Sequence, residues 1–194
     1  MSTNFKAHDM AEQQIAELDK QLLRRKLRIS ESPCDIKASV GQRELKAFCS
    51  NDYLGLANHP KLVSAIAEGA NLYGVGSGAS HLISGHSIAH DLLEKKLATF
   101  ESRYIPNARA LFFSTGYLAN MSAITSLTRL AEQGEASIYS AKLNHASLID
   151  GVRLASAQTK AMVTLFDHQN LDSLENGLKQ DTCPLKLIVL DGVF

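Results

Sequence analysis

The chain has 194 residues, of which 45% are hydrophobic and 21% charged, values of an ordinary globular protein rather than a disordered one. Lys plus Arg number 20, as do Asp plus Glu, so no global field draws the molecule to nucleic acid or to an anionic membrane, and partners must be found through local sites. The three cysteines, Cys34, Cys49 and Cys183, are widely spaced and contain no Cys-x-x-Cys pair, which fits reduced thiols in a cytoplasm better than disulfides or a zinc centre.

The opening "MSTNFKAHDMAEQQ" is polar and lacks the apolar core of a secretory signal, and no apolar run approaches a membrane span. A cytoplasmic protein with neither membrane nor nucleic-acid partners is expected. In "IAELDKQLLRRKLR", Ile15, Leu18, Leu22 and Leu23 form a one-sided stripe that predicts an amphipathic helix. The basic run "RRKLR" (24–28) reads as its solvated face, or as the source of an arginine that reaches an anionic ligand. Residues 29–41 read as a connection and "ELKAFCS" as a short strand. Residues 1–50 are thus expected to form a helical arm with a short strand, and 51–194 the first part of a larger domain.

From there the pattern is regular. Pro60 suits the start of a helix running to about Tyr73, and Ser87 the cap of another, whose Ile88, Leu92, Leu93, Leu97 and Phe100 predict a buried face. "RALFFS" (109–114) reads as a strand covered on both sides. Helix and strand then alternate through "GYLANMSAITSLTRL", "ASIYSA", "HASLIDGVRLAS", "KAMVTLF", "LDSLENGLK" and "LKLIVLDG". That order predicts an α/β fold with a mainly parallel sheet and helices on both faces. The chain ends at Phe194 directly after an apolar strand, and it is expected to be a portion of a longer protein.

In open parallel sheets, ligands bind beyond the carboxyl ends of strands, where loops lead into helix N-termini. In "FFSTGYLAN", free N–H groups at the helix start and the hydroxyls of Ser114 and Thr115 suit a phosphate, and Gly116, followed by Tyr117, allows close approach. An ordinary capped turn is the other reading. His145 in "AKLNHASLIDG" can stack on a planar cofactor, shuttle a proton, or simply cap a helix. The glycine-rich "GVGSGASHLISGHSIAH" (74–90) has no lysine after its last glycine and follows no predicted strand, so it is neither a Walker loop nor a dinucleotide fingerprint. A binding loop and a surface connection both remain open for it. Its His81, His86 and His90 recur at spacings of five and four with no carboxylate or cysteine to complete a ligand set, and no metal is expected.

Four segments in order, "SNDYLGLANHP" (50–60), "YGVGSGASHLISGHSIAHDLLEKKLATF" (73–100), "FFSTGYLANMSAI" (112–124) and "NHASLIDG" (144–151), resemble the α-oxoamine synthases. These are pyridoxal 5'-phosphate enzymes of fold type I that condense an amino acid with an acyl thioester and release carbon dioxide. The likeness spans about residues 44–194 and implies the PLP-binding large domain of that fold. It implies that Gly116 and Tyr117, with Ser114 and Thr115, hold the cofactor phosphate, and that His145 is a catalytic residue stacked on the pyridine ring. It also implies substrate contacts from Arg28, with Arg24 and Arg25 as rivals, from Asn51, and from Gly76 and Ser77 in the glycine-rich segment near a homodimer interface. The "GSGASHLISGHSIAHDLLE" version resembles the members that use L-alanine and a pimeloyl group on coenzyme A or a carrier protein; a 2-amino-3-ketobutyrate ligase, a palmitoyl or succinyl synthase, and a non-catalytic interaction domain are the rival readings. The resemblance puts the Schiff-base lysine beyond Phe194, and Lys142 lacks the setting of a desolvated amine, so these 194 residues alone are expected not to turn over.

Overall fold

Helix α1 (Asn4–Lys20) stops short of the basic run. Leu22 takes a left-handed φ of 57°, and the Leu23 N–H donates to the Leu18 carbonyl at 2.9 Å, the bond that closes many helix C-termini. Arg24 turns back to Asp19 at 2.7 Å. The run 24–28 is therefore not the solvated face of a helix, as the apolar stripe had suggested, but irregular chain beyond one. Leu22 and Leu23 are 91% and 62% exposed, and apolar side chains left in solvent add little to hold a helix past Lys20.

The computed structural model describes residues 4–193, and Phe194 lies outside them. Internal contacts divide the described chain into one unit running to Ser77 and another from Gly78 onward. In the first unit, β1 (Lys37–Val40) and β2 (Arg43–Lys46) pair antiparallel with Val40 opposite Arg43. Gly41 and Gln42 between them both have positive φ, 56° and 62°, as a two-residue hairpin turn with the twist of its strands requires. The expected connection over 29–41 thus contains a strand, and "ELKAFCS" keeps ladder geometry only to Lys46. Helix α2 (Pro60–Tyr73) forms as expected, with the His59 ring accepting the Lys61 N–H.

The second unit opens with a single π-helical turn (His81–Gly85) followed by α3 (Ile88–Glu101) and α4 (Gly116–Thr128). Then β3 (Ala136–Ala141), α5 (Ala146–Thr159), β4 (Met162–Phe166), α6 (Leu171–Gln180) and β5 (Leu185–Val189) alternate. The sheet is parallel, in the order β4-β3-β5, and all six residues of the central β3 are buried. Its period-two alternation sends Ala136 and Ile138 into one cluster with Ile124 of α4 and Leu148, Val152 and Ala155 of α5. Tyr139 and Ala141 join Phe166, Leu174 and Leu178 on the α6 side. Helices therefore cover both faces, as the alternation of elements predicted.

Two expectations fail here. "RALFFS" forms no strand, because no described strand lies beside it to complete a ladder, and Leu111 is 76% exposed. The apolar face of α3 is not buried: Ile88, Leu92, Leu93, Leu97 and Phe100 all stand exposed among the described residues. No helix of the described residues is long and apolar enough to cross a membrane.

Candidate functional site

The site begins where β3 and β5 end. Asn144, buried just past β3, donates through Nδ2 to Ser140 Oγ at 3.0 Å and to the Val189 carbonyl at 2.8 Å, and its Oδ1 accepts the Asp191 N–H at 3.1 Å. One amide side chain thereby ties the carboxyl ends of two neighbouring parallel strands. Asp191 in turn accepts the His145 N–H at 2.6 Å, so the loop leaving β5 anchors the first residue of the β3–α5 junction. This is the edge at which doubly wound sheets bind ligands.

His145 is the N-cap of α5. Its Nδ1 accepts the Ser147 N–H at 3.1 Å and lies 2.7 Å from Ser147 Oγ. An Nδ1 that accepts assigns the neutral ring's proton to Nε2. Ser147, fully buried, also accepts from Asn120 Nδ2 of α4 at 2.9 Å. The imidazole is thus fixed at the backbone of its own helix and, through Ser147, to the helix alongside.

Thr115 caps α4 by accepting the Leu118 N–H at 3.2 Å, which leaves its hydroxyl proton free to donate. The N–H groups of Gly116 and Tyr117 belong to the first turn, where an α-helix has no internal acceptor for them. A Cβ added at Gly116 would meet nothing within 4 Å, so the approach to those donors is open. An open helix start with free N–H groups and flanking hydroxyls from Ser114 and Thr115 fits an anionic phosphate. The Tyr117 hydroxyl donates to Asp150 of α5, and this hydrogen bond to a carboxylate, with some loss of solvent and the carboxylate's charge, raises the phenol above its ordinary range. Tyr117–Asp150 and Asn120–Ser147 together set the first turns of α4 and α5 side by side. Gly151 permits that approach: a Cβ there would lie 2.9 Å from Ile124 Cδ1 and 3.3 Å from Met121 Cα.

Of the residues singled out in the sequence, Ser114, Thr115, Gly116, Tyr117 and His145 all belong to these two junctions. Arg28, Asn51, Gly76 and Ser77 belong to the first unit; all four are exposed, and the Asn51 carbonyl accepts the Tyr53 N–H at 3.0 Å. Asn120, Asn144, Ser147, Asp150 and Asp191 escaped the sequence reading. The spacing from His145 to Asp150 and the "LDG" closing an apolar run were the available signals, but only the packed sheet shows which partners they meet.

The family model for aminotransferase class I and II matches residues 43–194. The chain is 51% identical over 183 residues to 8-amino-7-oxononanoate synthase of Janthinobacterium sp. (strain Marseille), covering 94% of this chain and 44% of that one. It is 53% identical over 191 residues to 8-amino-7-oxononanoate synthase 2 of Polaromonas sp. (strain JS666 / ATCC BAA-500), covering 96% and 45%. It therefore spans a little under half the length of these curated relatives. Among solved structures, a serine palmitoyltransferase of Sphingomonas wittichii superposes with a TM-score of 0.77 at 25% identity, over 97% of this chain and 45% of that one. The 8-amino-7-oxononanoate synthase of Francisella tularensis superposes with a TM-score of 0.51 at 32% identity, over 66% and 32%. A family match across most of the chain, on a parallel sheet with helices on both faces, places this chain in the aminotransferase class I and II family.

Proposed function

We propose that the full-length protein carrying this chain joins L-alanine to a pimeloyl thioester, on coenzyme A or on a carrier protein, to give 8-amino-7-oxononanoate and carbon dioxide. The observation that carries the reading is the coupled pair of helix starts, in which an open N-terminal turn at Gly116 stands beside a histidine locked on α5. The identity of 51–53% to two 8-amino-7-oxononanoate synthases supports the substrate choice. Pyridoxal 5'-phosphate, when bound, supplies the electron sink for breaking bonds at the amino acid's α-carbon.

In this reading Gly116 and Tyr117 give backbone N–H groups, and Ser114 and Thr115 hydroxyl protons, to the cofactor phosphate. His145 presents its ring to the pyridine, and its anchors to Ser147 and Asp191 hold it against rotation. Arg28, Asn51, Gly76 and Ser77 serve the substrate side, Arg28 as partner of a carboxylate. The protein works as a homodimer in the cytoplasm. The 194 residues alone are inactive on this account, since Lys142, the lysine nearest His145 in sequence, is exposed and lacks the desolvated setting of an amine nucleophile.

A sister activity has one observation in its favour: the serine palmitoyltransferase fold superposes better than that of the Francisella synthase, 0.77 against 0.51. Fold similarity at 25% identity is shared by enzymes of different substrates, whereas the relatives at about twice that identity act as synthases of one product by name. The test is the visible spectrum of purified full-length protein before and after L-alanine, glycine and L-serine, followed by product analysis with pimeloyl and palmitoyl thioesters. A cofactor band that responds to alanine, with a pimeloyl-derived product, is expected. A well-folded protein without a cofactor band sinks the proposal, and a preference for serine with a palmitoyl thioester replaces it with the sister activity.

A further inference from the structure

We propose that His81, His86 and His90 form a binding site for a divalent first-row transition metal, of which Zn2+ is the type. The inference is independent of the condensing activity. In sequence the three histidines follow no helical period and have no acidic or thiol companion, and a metal was not expected. The fold nevertheless gathers them: one ring nitrogen from each lies within 4.8 Å of the others. The Nδ1 atoms of His81 and His86 are 3.2 Å apart. Tetrahedral zinc with Zn–N bonds of about 2.0–2.1 Å separates its ligand atoms by roughly 3.3–3.4 Å, so one pair already has the required spacing.

The arrangement has a structural cause. The π-helical turn bonds the Gly85 N–H to the Ser80 carbonyl at 2.8 Å, and Gly85 presses so closely on residue 79 that a Cβ would sit 2.0 Å from the Ala79 carbonyl oxygen. Only glycine permits that path, which brings His86 back to His81. The third ring comes from the first turn of α3, where His90 Nδ1 accepts the Ser87 N–H at 3.1 Å and lies 2.9 Å from Ser87 Oγ. With Nδ1 accepting, the neutral ring carries its proton on Nε2; a cation taken by Nε2 moves that proton to Nδ1, where Ser87 Oγ at 2.9 Å replaces the Ser87 N–H as its partner and orients the ring, as metal-bound histidines commonly have. The His81 ring meets the other two at 67° and 75°, edge rather than face, while His86 and His90 stack at 27°. Phe112 stands against His90 with ring centroids 5.7 Å apart and gives the cluster an apolar side. Single-turn π segments often mark functional positions.

Chemistry selects the cation. Three imidazoles suit Zn2+, Co2+, Ni2+ or Cu2+, whereas Mg2+ and Ca2+ want oxygen. The acidic residues near in sequence are engaged elsewhere: Asp91 pairs with Lys95 at 2.8 Å, and Glu94 accepts the Phe112 N–H at 2.9 Å. His81 and His86 are exposed, so a fourth position is open to water.

Metal-free full-length protein titrated with Co2+ tests the site, read by the visible d–d bands of the bound ion and by calorimetry, with Zn2+ added last to displace it. One Co2+ per chain, displaced by Zn2+, is expected. His81→Gln/His86→Gln should weaken binding by at least ~100-fold, beyond the loss of about 10–100-fold typical of outer-shell partners, while His8→Gln on α1 binds as the parent does. Circular dichroism shows whether the double variant folds; if it does not, His86→Gln alone, a change at an exposed side chain, should still cost at least about tenfold. Absence of saturable Co2+ binding below about 1 mM, or equal binding by parent and variant, overturns the proposal.

Discussion

Gly151→Ala tests whether the close crossing of α4 and α5 is what holds the site. A helix-interior glycine costs about 0.5–1 kcal/mol relative to alanine through backbone entropy, so at an open position the change would stabilise. At residue 151 the new methyl would lie 2.9 Å from Ile124 Cδ1 and 3.3 Å from Met121 Cα. The first is a side-chain tip, but Ile124 is itself 6% exposed in the core; the second is backbone and cannot rotate away. Overpacking of this kind costs typically about 1–3 kcal/mol, so a net destabilisation of roughly 0.5–2 kcal/mol follows from the two opposing effects. Urea unfolding of the full-length protein measures it. Ile124→Val removes the nearer clashing atom, at a cost of its own of about 0.5–1.5 kcal/mol in the parent. In the Gly151→Ala background it should cost clearly less, giving a favourable coupling of about 0.5 kcal/mol or more. A more stable Gly151→Ala protein, or strictly additive effects of the two changes, would show that this glycine is no contact requirement.

Three further outcomes are expected. His145→Ala should lose an N-cap, about 0.5–2 kcal/mol, together with cofactor binding, whereas His145→Asn, a good capping residue, should recover the stability without restoring the cofactor spectrum; denaturant melts and visible spectra of the same samples separate the two roles. Asn144→Ala strands the buried Val189 carbonyl and the half-buried Asp191 N–H, and urea unfolding should show a loss of about 1–3 kcal/mol. Tyr139 is pushed up to about 12 by burial and then by its bond to Asp181. Folding therefore favours its protonated form, and its contribution, whole below pH 10.0, is lost as pH rises toward about 12. Burial works to raise Asp181, but the N–H of Cys183 and the hydroxyl of Tyr139 outweigh it and hold the carboxyl below its usual 3.8. Its contribution is present above that pH and fades below it. Melting temperatures across pH should show both arms, and Tyr139→Phe should flatten the alkaline one.

Elements whose information is local were legible in the chain alone. Pro60 starts α2 through its fixed φ, and Thr115 starts α4 and His145 starts α5, because a capping side chain need only reach a backbone N–H two or three residues away. The alternation of strands and helices around β3 likewise dictated a parallel sheet with helices on both sides. Whatever depends on a distant partner was settled by packing. "RALFFS" and "LKLIVL" are alike as words, yet the second lies beside β3 and becomes β5 while the first has no ladder to join. The stripe through Leu22 and Leu23 implied a longer α1 than an unpacked apolar surface can hold. Asp150 and Asp191 became part of the site only when α4 met α5 and β5 met β3. The histidines at 81, 86 and 90 share no helical face; a turn that only Gly85 allows folds them together. Caps and hydrophobic period are contests among neighbours in the chain and can be read residue by residue, but ladders, crossings and ligand clusters join groups that the chain order does not align, and only the folded chain brings such groups within bonding distance.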